Sequence, residues 1–353
     1  MLDQGGLVLK DTDASIGDIP SEPVRGGTGD PALRAMSGIE GLRTWLDGRS
    51  PRPPIARLTG RRLVAAEKGV VTYALPVTDW LLGPKGRVHP GVLAFLAGAP
   101  LFGAVQSALP PRTSCTTAEL SMTFLGAPPG GGGELTAVGR LIATEGDTGL
   151  AEVGIRSAEG RLVAHGTARC LIFPPDDKLV TVTELQHPEE PRGPTPDPWE
   201  RPVGFHPAAA PEGMSGLEIL QATLHGELPQ APIDRLMGIR LLEAKAGRVV
   251  FAMPASGWLS QEYGAVFGGA VALLGMSASS AAVQTTAERG TGFAALDMKI
   301  NLLRPVHPDG EQLVAIGTVL HRGRRLAIGT ADVRHGGRLV AVVTGTTELT
   351  PGS

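Results

Sequence analysis

IARLTGRRLVAAEKGVVTYALPVTDWL, residues 55–81, returns as IDRLMGIRLLEAKAGRVVFAMPASGWL, residues 233–259, at an offset of 178 residues. At that spacing Arg57 meets Arg235, Leu58 meets Leu236, Gly60 meets Gly238 and Leu63 meets Leu241. Gly69, Pro76 and Trp80 fall on Gly247, Pro254 and Trp258, and the register still holds where Gly91 meets Gly269 and Glu119 meets Asp297. Gly, Pro and Trp kept in step without a gap over that distance mark an internal repeat, so one fold occurs twice in the chain.

Each copy reads alike. A short amphipathic helix comes first, over residues 37–47 and 215–225; in the second, Leu217, Leu220 and Leu224 keep helical spacing. Two β-branched runs around a Gly turn predict a strand pair. VHPGVLAFLAGAPLFGAVQSAL (88–109) and VFGGAVALLGMSASSAAVQTTA (266–287) are apolar all round and too long for strands, which predicts a buried helix in each copy. Further strands follow, closing on a hairpin at Ala158–Gly160 in the first copy. A buried helix followed by an antiparallel meander is an α+β plan. The domain expectation is a tail over 1–35, a first domain over 36–175, a Pro-rich linker over 176–212 and a second domain over 213–350.

The composition excludes several classes. The chain has 353 residues, 42% of them hydrophobic, enough for two cores. A net charge of −3 with dispersed Lys and Arg argues against a nucleic-acid partner. No apolar run approaches the roughly 20 residues of a membrane span. The first residues lack a basic-then-apolar leader, which predicts a cytoplasmic protein. Cys115 and Cys170 are too few for a disulfide framework or a zinc site, and no metal cluster or cofactor is expected.

At the helix starts stand His89-Pro90-Gly91 and Phe267-Gly268-Gly269, followed by VLAFLAG and AVALLGM, with NLLRPVHPDG and HRGRRLAIGTADVR further on. In order, and twice over, these segments resemble the hotdog-fold thioesterases. Across most of 36–173 and 213–350 the chain is similar to a double hotdog of the phenylacetyl-CoA-type acyl-CoA thioesterases. The resemblance implies two tandem hotdog domains, each an antiparallel sheet wrapped around a central helix, joined as a pseudo-dimer that could pair again as a homodimer. It implies an acyl-CoA or carrier-bound acyl thioester as substrate. A glycine at a helix start lets a thioester carbonyl approach free N–H groups and the positive end of the helix dipole, where an oxyanion is stabilised.

The family also implies an acid nine residues after the motif His, an amide six residues before it and a hydroxyl on the next strand, shared between the two copies. Here the acid positions hold Gly98 and Met276, the amide positions Gly83 and Gln261, and the hydroxyl positions Thr117 and Ala295. Two unequal composite sites result. One joins Gln261, Phe267, Gly268 and Gly269 to Gly98 and Thr117; the other joins His89 and Gly91 to Met276 and Ala295. His89, Gln261 and Thr117 are the catalytic candidates. His89, the one titratable side chain at a motif position, suits proton transfer. Glu119 and Asp297 fit structural anchors better than a replacement acid. Arg322 and Arg324, beside Arg325, are candidates for the phosphates of CoA. The expected activity is acyl-thioester hydrolysis at a non-standard site. The alternatives are an inactive acyl-thioester binder, favoured by the missing acids, and a dehydratase or isomerase, since His89–Leu93 resembles the Pro-Gly-Val-Leu turn of hotdog dehydratases, although Leu96 stands at their acid position.

Overall fold

The computed structural model describes residues 19–350 apart from 84–85, 127, 129, 180–195 and 205–212. Most of the expected tail and linker lies outside the described residues.

Strands β1 (Arg62–Glu67) and β2 (Val70–Pro76) precede a long helix, and β3 (Cys115–Phe124), β4 (Glu134–Glu145), β5 (Thr148–Arg156) and β6 (Leu162–Ile172) follow it. The second copy gives β7 (Arg240–Lys245) and β8 (Arg248–Pro254), then β9 (Gly292–Leu302), β10 (Gln312–Arg322), β11 (Leu326–His335) and β12 (Arg338–Thr350). All twelve form one antiparallel sheet in the order β1-β2-β4-β5-β6-β3-β9-β12-β11-β10-β8-β7. The halves join where β3 pairs with β9, and the centre of that pairing is Ser121 opposite Lys299, each the repeat partner of the other. The pseudo-twofold axis passes there.

The helices are α1 (Gly38–Leu46), α2 (Pro54–Thr59), α3 (Pro90–Gln106), α4 (Gly216–Leu224), α5 (Pro232–Met237) and α6 (Gly268–Gln284). The long α3 and α6 sit in the concave side of the sheet and are buried on nearly every face, as their unbroken apolar sequences require. Glycine in the sheet sets how close they come. A Cβ at Gly139 would lie 2.2 Å from the Pro100 carbonyl oxygen, and one at Gly317 would lie 2.1 Å from that of Ala278, the same contact in both copies. The amphipathic helices use the same device at Gly38 and Gly216, which abut the carbonyls of Gln106 and Gln284.

Sequence periodicity missed α2 and α5, whose six residues are too few to show it. Each starts at a proline, whose fixed φ suits the first helical turn, and stops at a left-handed glycine, Gly60 or Gly238. Residues 19–36 pack on the body rather than trailing from it. Trp80 and Trp258, equivalent and almost fully buried, each need an acceptor for the indole N–H. Trp80 donates to the Arg201 carbonyl at 2.8 Å and Trp258 to the Glu22 carbonyl at 3.1 Å, while Arg201 holds Glu22 through two hydrogen bonds. Segments outside the repeat therefore clasp both halves at the axis.

Glu119 and Asp297 each follow a one-residue register shift, in the β3–β6 and β12–β9 pairings. Asp297 Oδ1 accepts the Thr346 N–H at 3.0 Å, and Glu119 takes the Ser121 hydroxyl with Lys299 at 3.9 Å. These acids anchor β-bulges.

The helix–sheet contact gives a direct test. Gly317→Ala should destabilise the protein by about 1–3 kcal/mol through overpacking against backbone. Gly154→Ala, whose Cβ would meet only a Leu162 methyl at 3.5 Å, should leave the thermal midpoint within about a degree. Equal midpoints for the two variants would contradict the packing account.

Candidate active site

The starts of α3 and α6 cross at the centre of the molecule. A Cβ at Gly91 would be 3.2 Å from the Leu273 Cα, and one at Gly269 would be 2.7 Å from the Phe95 carbonyl oxygen. Leu273 and Phe95 are themselves repeat partners, so the crossing is symmetric. Both glycines are needed for the close approach, whatever else they do. One cavity opens on each side of the crossing.

The cavity at the α3 start has a volume of about 420 Å³ and is lined by His89, Asp234, Ala295 and the α6 residues Ser277, Ser280 and Gln284. His89 is the N-cap of α3. Its Nδ1 accepts the Gly91 N–H at 3.1 Å, so the ring proton resides on Nε2. Its own N–H donates to the Leu81 carbonyl at 3.0 Å, and Leu82 bridges to Val88. The ring lies deep but keeps a face on the cavity. Burial pushes the imidazole down to about 4, leaving it neutral near pH 7.

Asp234 enters from the other half of the chain. Helix α5 docks on the His89 loop, with the Ile233 N–H donating to the Leu82 carbonyl at 3.4 Å. Asp234 is the next residue and faces the same cavity. Burial pushes its carboxyl up to about 7 from an ordinary 3.8. A neutral imidazole and an acid that titrates near neutrality thus line one apolar chamber, the separation that allows one site to supply both a donor and a base.

The cavity at the α6 start is larger, about 800 Å³, and is lined by every residue of the other composite site: Gln261, Phe267, Gly268, Gly269, Gly98 and Thr117. Its polar groups at the motif positions are engaged, whereas Trp45 Nε1 in its lining has no partner among the described residues. Gln261 Oε1 accepts the Tyr263 N–H at 2.8 Å and closes a turn. Thr117 Oγ1 lies 3.8 Å from the Cys170 sulfur. Glu262, which also lines this cavity, is held by Arg61 at 3.0 Å. The Arg61 guanidinium is buried with its centre 4.3 Å from the Phe267 ring and 5.2 Å from that of Tyr73. Those aromatic faces stand in for acceptors at Nε and Nη1, which have none among the described residues. Phe267 takes the place of His89. Its ring packs edge-on against Phe95 and would meet a Cβ at Gly98 at 3.3 Å. A side chain at position 98 would press on that ring.

Met276 is a correction to the expected pairing. It is buried toward β12, 3.8 Å from the position of a Cβ on Gly345, and lines neither cavity. One residue of helical rotation separates it from Ser277, which does face the His89 cavity. Arg322 and Arg324 lie on the exposed β10–β11 turn and line neither cavity. Arg322 donates to the Gly323 carbonyl, and Arg325 pairs with Glu348 at 3.0 Å. A cluster of ligand-type side chains that the sequence did not suggest, Asp309, Glu311 and His335, is gathered at the surface. Asp309 there already accepts the Glu311 N–H and contacts His335 at 3.0 Å. Both cysteines are buried and free.

Sequence reasoning missed Asp234, although its signal lies in the repeat: IDRL stands where the first copy has IARL, so an acid replaces Ala56.

Residues 263–342 match the Thioesterase superfamily. The chain is a double hotdog similar to thioesterases. An acyl-CoA thioesterase II from Mycobacterium marinum superposes with a TM-score of 0.50 at 13% identity, covering 85% of this chain and 98% of its own. The tesB protein from Mycobacterium avium subs paratuberculosis gives 0.51 at 13% identity, covering 84% and 98%. At those identities the likeness shows the fold of the double hotdog. No curated protein sequence matches the chain. Among the described residues, no helix is long and apolar enough to cross a membrane.

Asp234 has a measurable thermodynamic signature. Its folded pKa lies above its unfolded one, so its contribution to stability is present at low pH and lost as pH rises through about 7. Asp234→Asn should therefore raise the melting temperature at pH 8 by several degrees, and by much less at pH 4.5. An equal change at both pH values would contradict the burial of this carboxyl.

Proposed function

We propose that the protein hydrolyses acyl thioesters, of CoA or a carrier protein, in the cavity at the α3 start. The observation that carries this reading is that His89 and Asp234, one from each half, line a single, mostly apolar cavity. The thioester carbonyl oxygen accepts the His89 Nε2–H, which the Gly91 N–H keeps in the required tautomer. The positive end of the α3 dipole adds to the stabilisation of the oxyanion. Asp234, ionised, takes a proton from water as the water oxygen attacks the carbonyl carbon. Collapse of the tetrahedral intermediate breaks the C–S bond. The thiolate leaves and is protonated, and the acyl group departs as a carboxylic acid.

A carboxyl displaced from the central helix to α5 thus supplies the base that positions 98 and 276 cannot. The cavity at the α6 start has an aromatic plug where the other has its imidazole; of its two lining carboxylates, Glu262 is paired with Arg61, and Asp176 is exposed and accepts the Lys178 N–H. Hydrolysis is assigned to one site per chain.

The same pair supports a second reading. An imidazole on a His-Pro-Gly-Val-Leu helix start, faced by an acid, is also equipped to remove water from a 3-hydroxyacyl thioester. Thiol release separates the two, because dehydration leaves the thioester intact.

Thiol release should be measured on a panel of aliphatic and aromatic acyl-CoAs. On the hydrolytic account kcat/KM rises with pH, with an apparent pKa near 7, and levels off above it. Asp234→Asn should lower it by about 10² or more. His89→Asn, which keeps an N-cap acceptor for Gly91 but loses the Nε2 donor, should lower it by about 10²–10³. Gln261→Ala should leave it within about a factor of three, since its amide only closes a turn. Activity lost in Gln261→Ala but kept in Asp234→Asn would move the chemistry to the other cavity.

A further inference from the structure

The wall of the His89 cavity formed by α6 carries hydroxyls. Ser277, Ser280 and Gln284 line it at helical spacing. Ser277 is 6% exposed, and its Oγ has no hydrogen-bond partner among the described residues. Two neighbouring hydroxyls return to backbone carbonyls: Ser279 to Met276 at 3.2 Å, and Thr285 to Ala282 at 2.6 Å. A buried hydroxyl left unpaired is destabilising, so a ligand that supplied its partner would gain from the contact.

The position of Ser277 along α6 follows from the crossing. The α3 start crosses α6 at Leu273. Ser277 is one helical turn further along, a rise of about 6 Å. For a carbonyl carbon level with the crossing, an oxygen on the third carbon of the acyl group lies about 3 Å along, and a hydrogen bond of about 2.8 Å spans the remainder. The equivalent wall of the other cavity has no hydroxyl at these positions, although Trp45 Nε1 elsewhere in its lining is also without a partner among the described residues. The repeat partners of Ser277 and Ser280 are Ala99 and Phe102, which line the α6-start cavity. The polar wall belongs to the cavity that holds His89 and Asp234.

We propose that Ser277 selects acyl thioesters bearing an oxygen, hydroxyl or oxo, on the third carbon. This rests on the placement of the thioester at His89 described above, though not on its hydrolysis. An acyl group with that oxygen satisfies the buried hydroxyl. One without it leaves the hydroxyl unpaired, and a site built around a hydrogen bond discriminates strongly against such an analogue.

The test uses a matched pair, 3-hydroxybutyryl-CoA and butyryl-CoA. Equilibrium binding is measured by calorimetry on Asp234→Asn protein, with and without Ser277→Ala as a second substitution, and kcat/KM on the wild type and Ser277→Ala. The expected result is a preference for the 3-hydroxy thioester of about tenfold or more, abolished by Ser277→Ala. Part of that loss should come from improved binding of butyryl-CoA, which a general structural defect would not produce. A preference unchanged in Ser277→Ala, or none in the parent protein, overturns the proposal, as does the absence of binding by either thioester. Selective binding without thiol release would leave the role of Ser277 standing and refute hydrolysis. Thiol release without selectivity would do the reverse.

Discussion

The close crossing of α3 and α6 determines most of what this molecule can do. Two glycines, Gly91 and Gly269, let each helix start rest against the backbone of the other helix. That contact brings both helix N-termini to the centre of a fused twelve-stranded sheet and leaves a cavity on either side. It also explains why each site draws residues from both halves. His89 belongs to the first copy, while Asp234 and Ser277 belong to the second. Neither copy alone contains the chamber that we assign to chemistry.

Once two sites are related by an internal axis, each residue difference between the copies becomes a difference between sites. At the helix start, His89 faces Phe267; on the docking helix, Asp234 faces Ala56; on the central helix, Ser277 faces Ala99. All three changes place polar chemistry in the same cavity. The other side has closed its helix start with an aromatic ring stacked on Arg61 and has committed Glu262, the acid beside that ring, to the same arginine. A buried charge pair of this kind needs both partners, because either ion alone would be left uncompensated in an apolar surrounding. The larger cavity is thus stabilised around a fixed ion pair, whereas the smaller one retains an acid that titrates near neutrality and a neutral imidazole.

Much of the fold was legible because the repeat is an arithmetic fact. The 178-residue offset carried both central helices, both amphipathic helices and the order of the strands. The short α2 and α5 were not legible: six residues give too little periodicity, and their proline starts and glycine stops read equally well as turns. That gap hid Asp234, which was visible as the one acid in IDRL but could be placed at the site only once α5 was seen to dock on Leu82. The place of His89 at the start of α3 was legible from its motif position, and each helix start lies against the opposite helix. Met276 was misplaced by one residue because a fixed spacing along a helix says nothing about a rotation of roughly 100° about its axis. Gln261, a candidate by position, has its side-chain oxygen occupied in a local turn, which sequence cannot reveal.

The central claim is that a thioester binds with its carbonyl at the α3 start and its acyl group in the smaller cavity. A crystal structure with a non-hydrolysable thioether analogue of an acyl-CoA tests it most directly. The account predicts the ketone oxygen of the analogue within hydrogen-bonding distance of His89 Nε2, with Asp234 on the opposite side of the carbonyl carbon. An analogue seated instead at the Gly268–Gly269 start of α6, with Phe267 displaced and the His89 cavity empty, would contradict it.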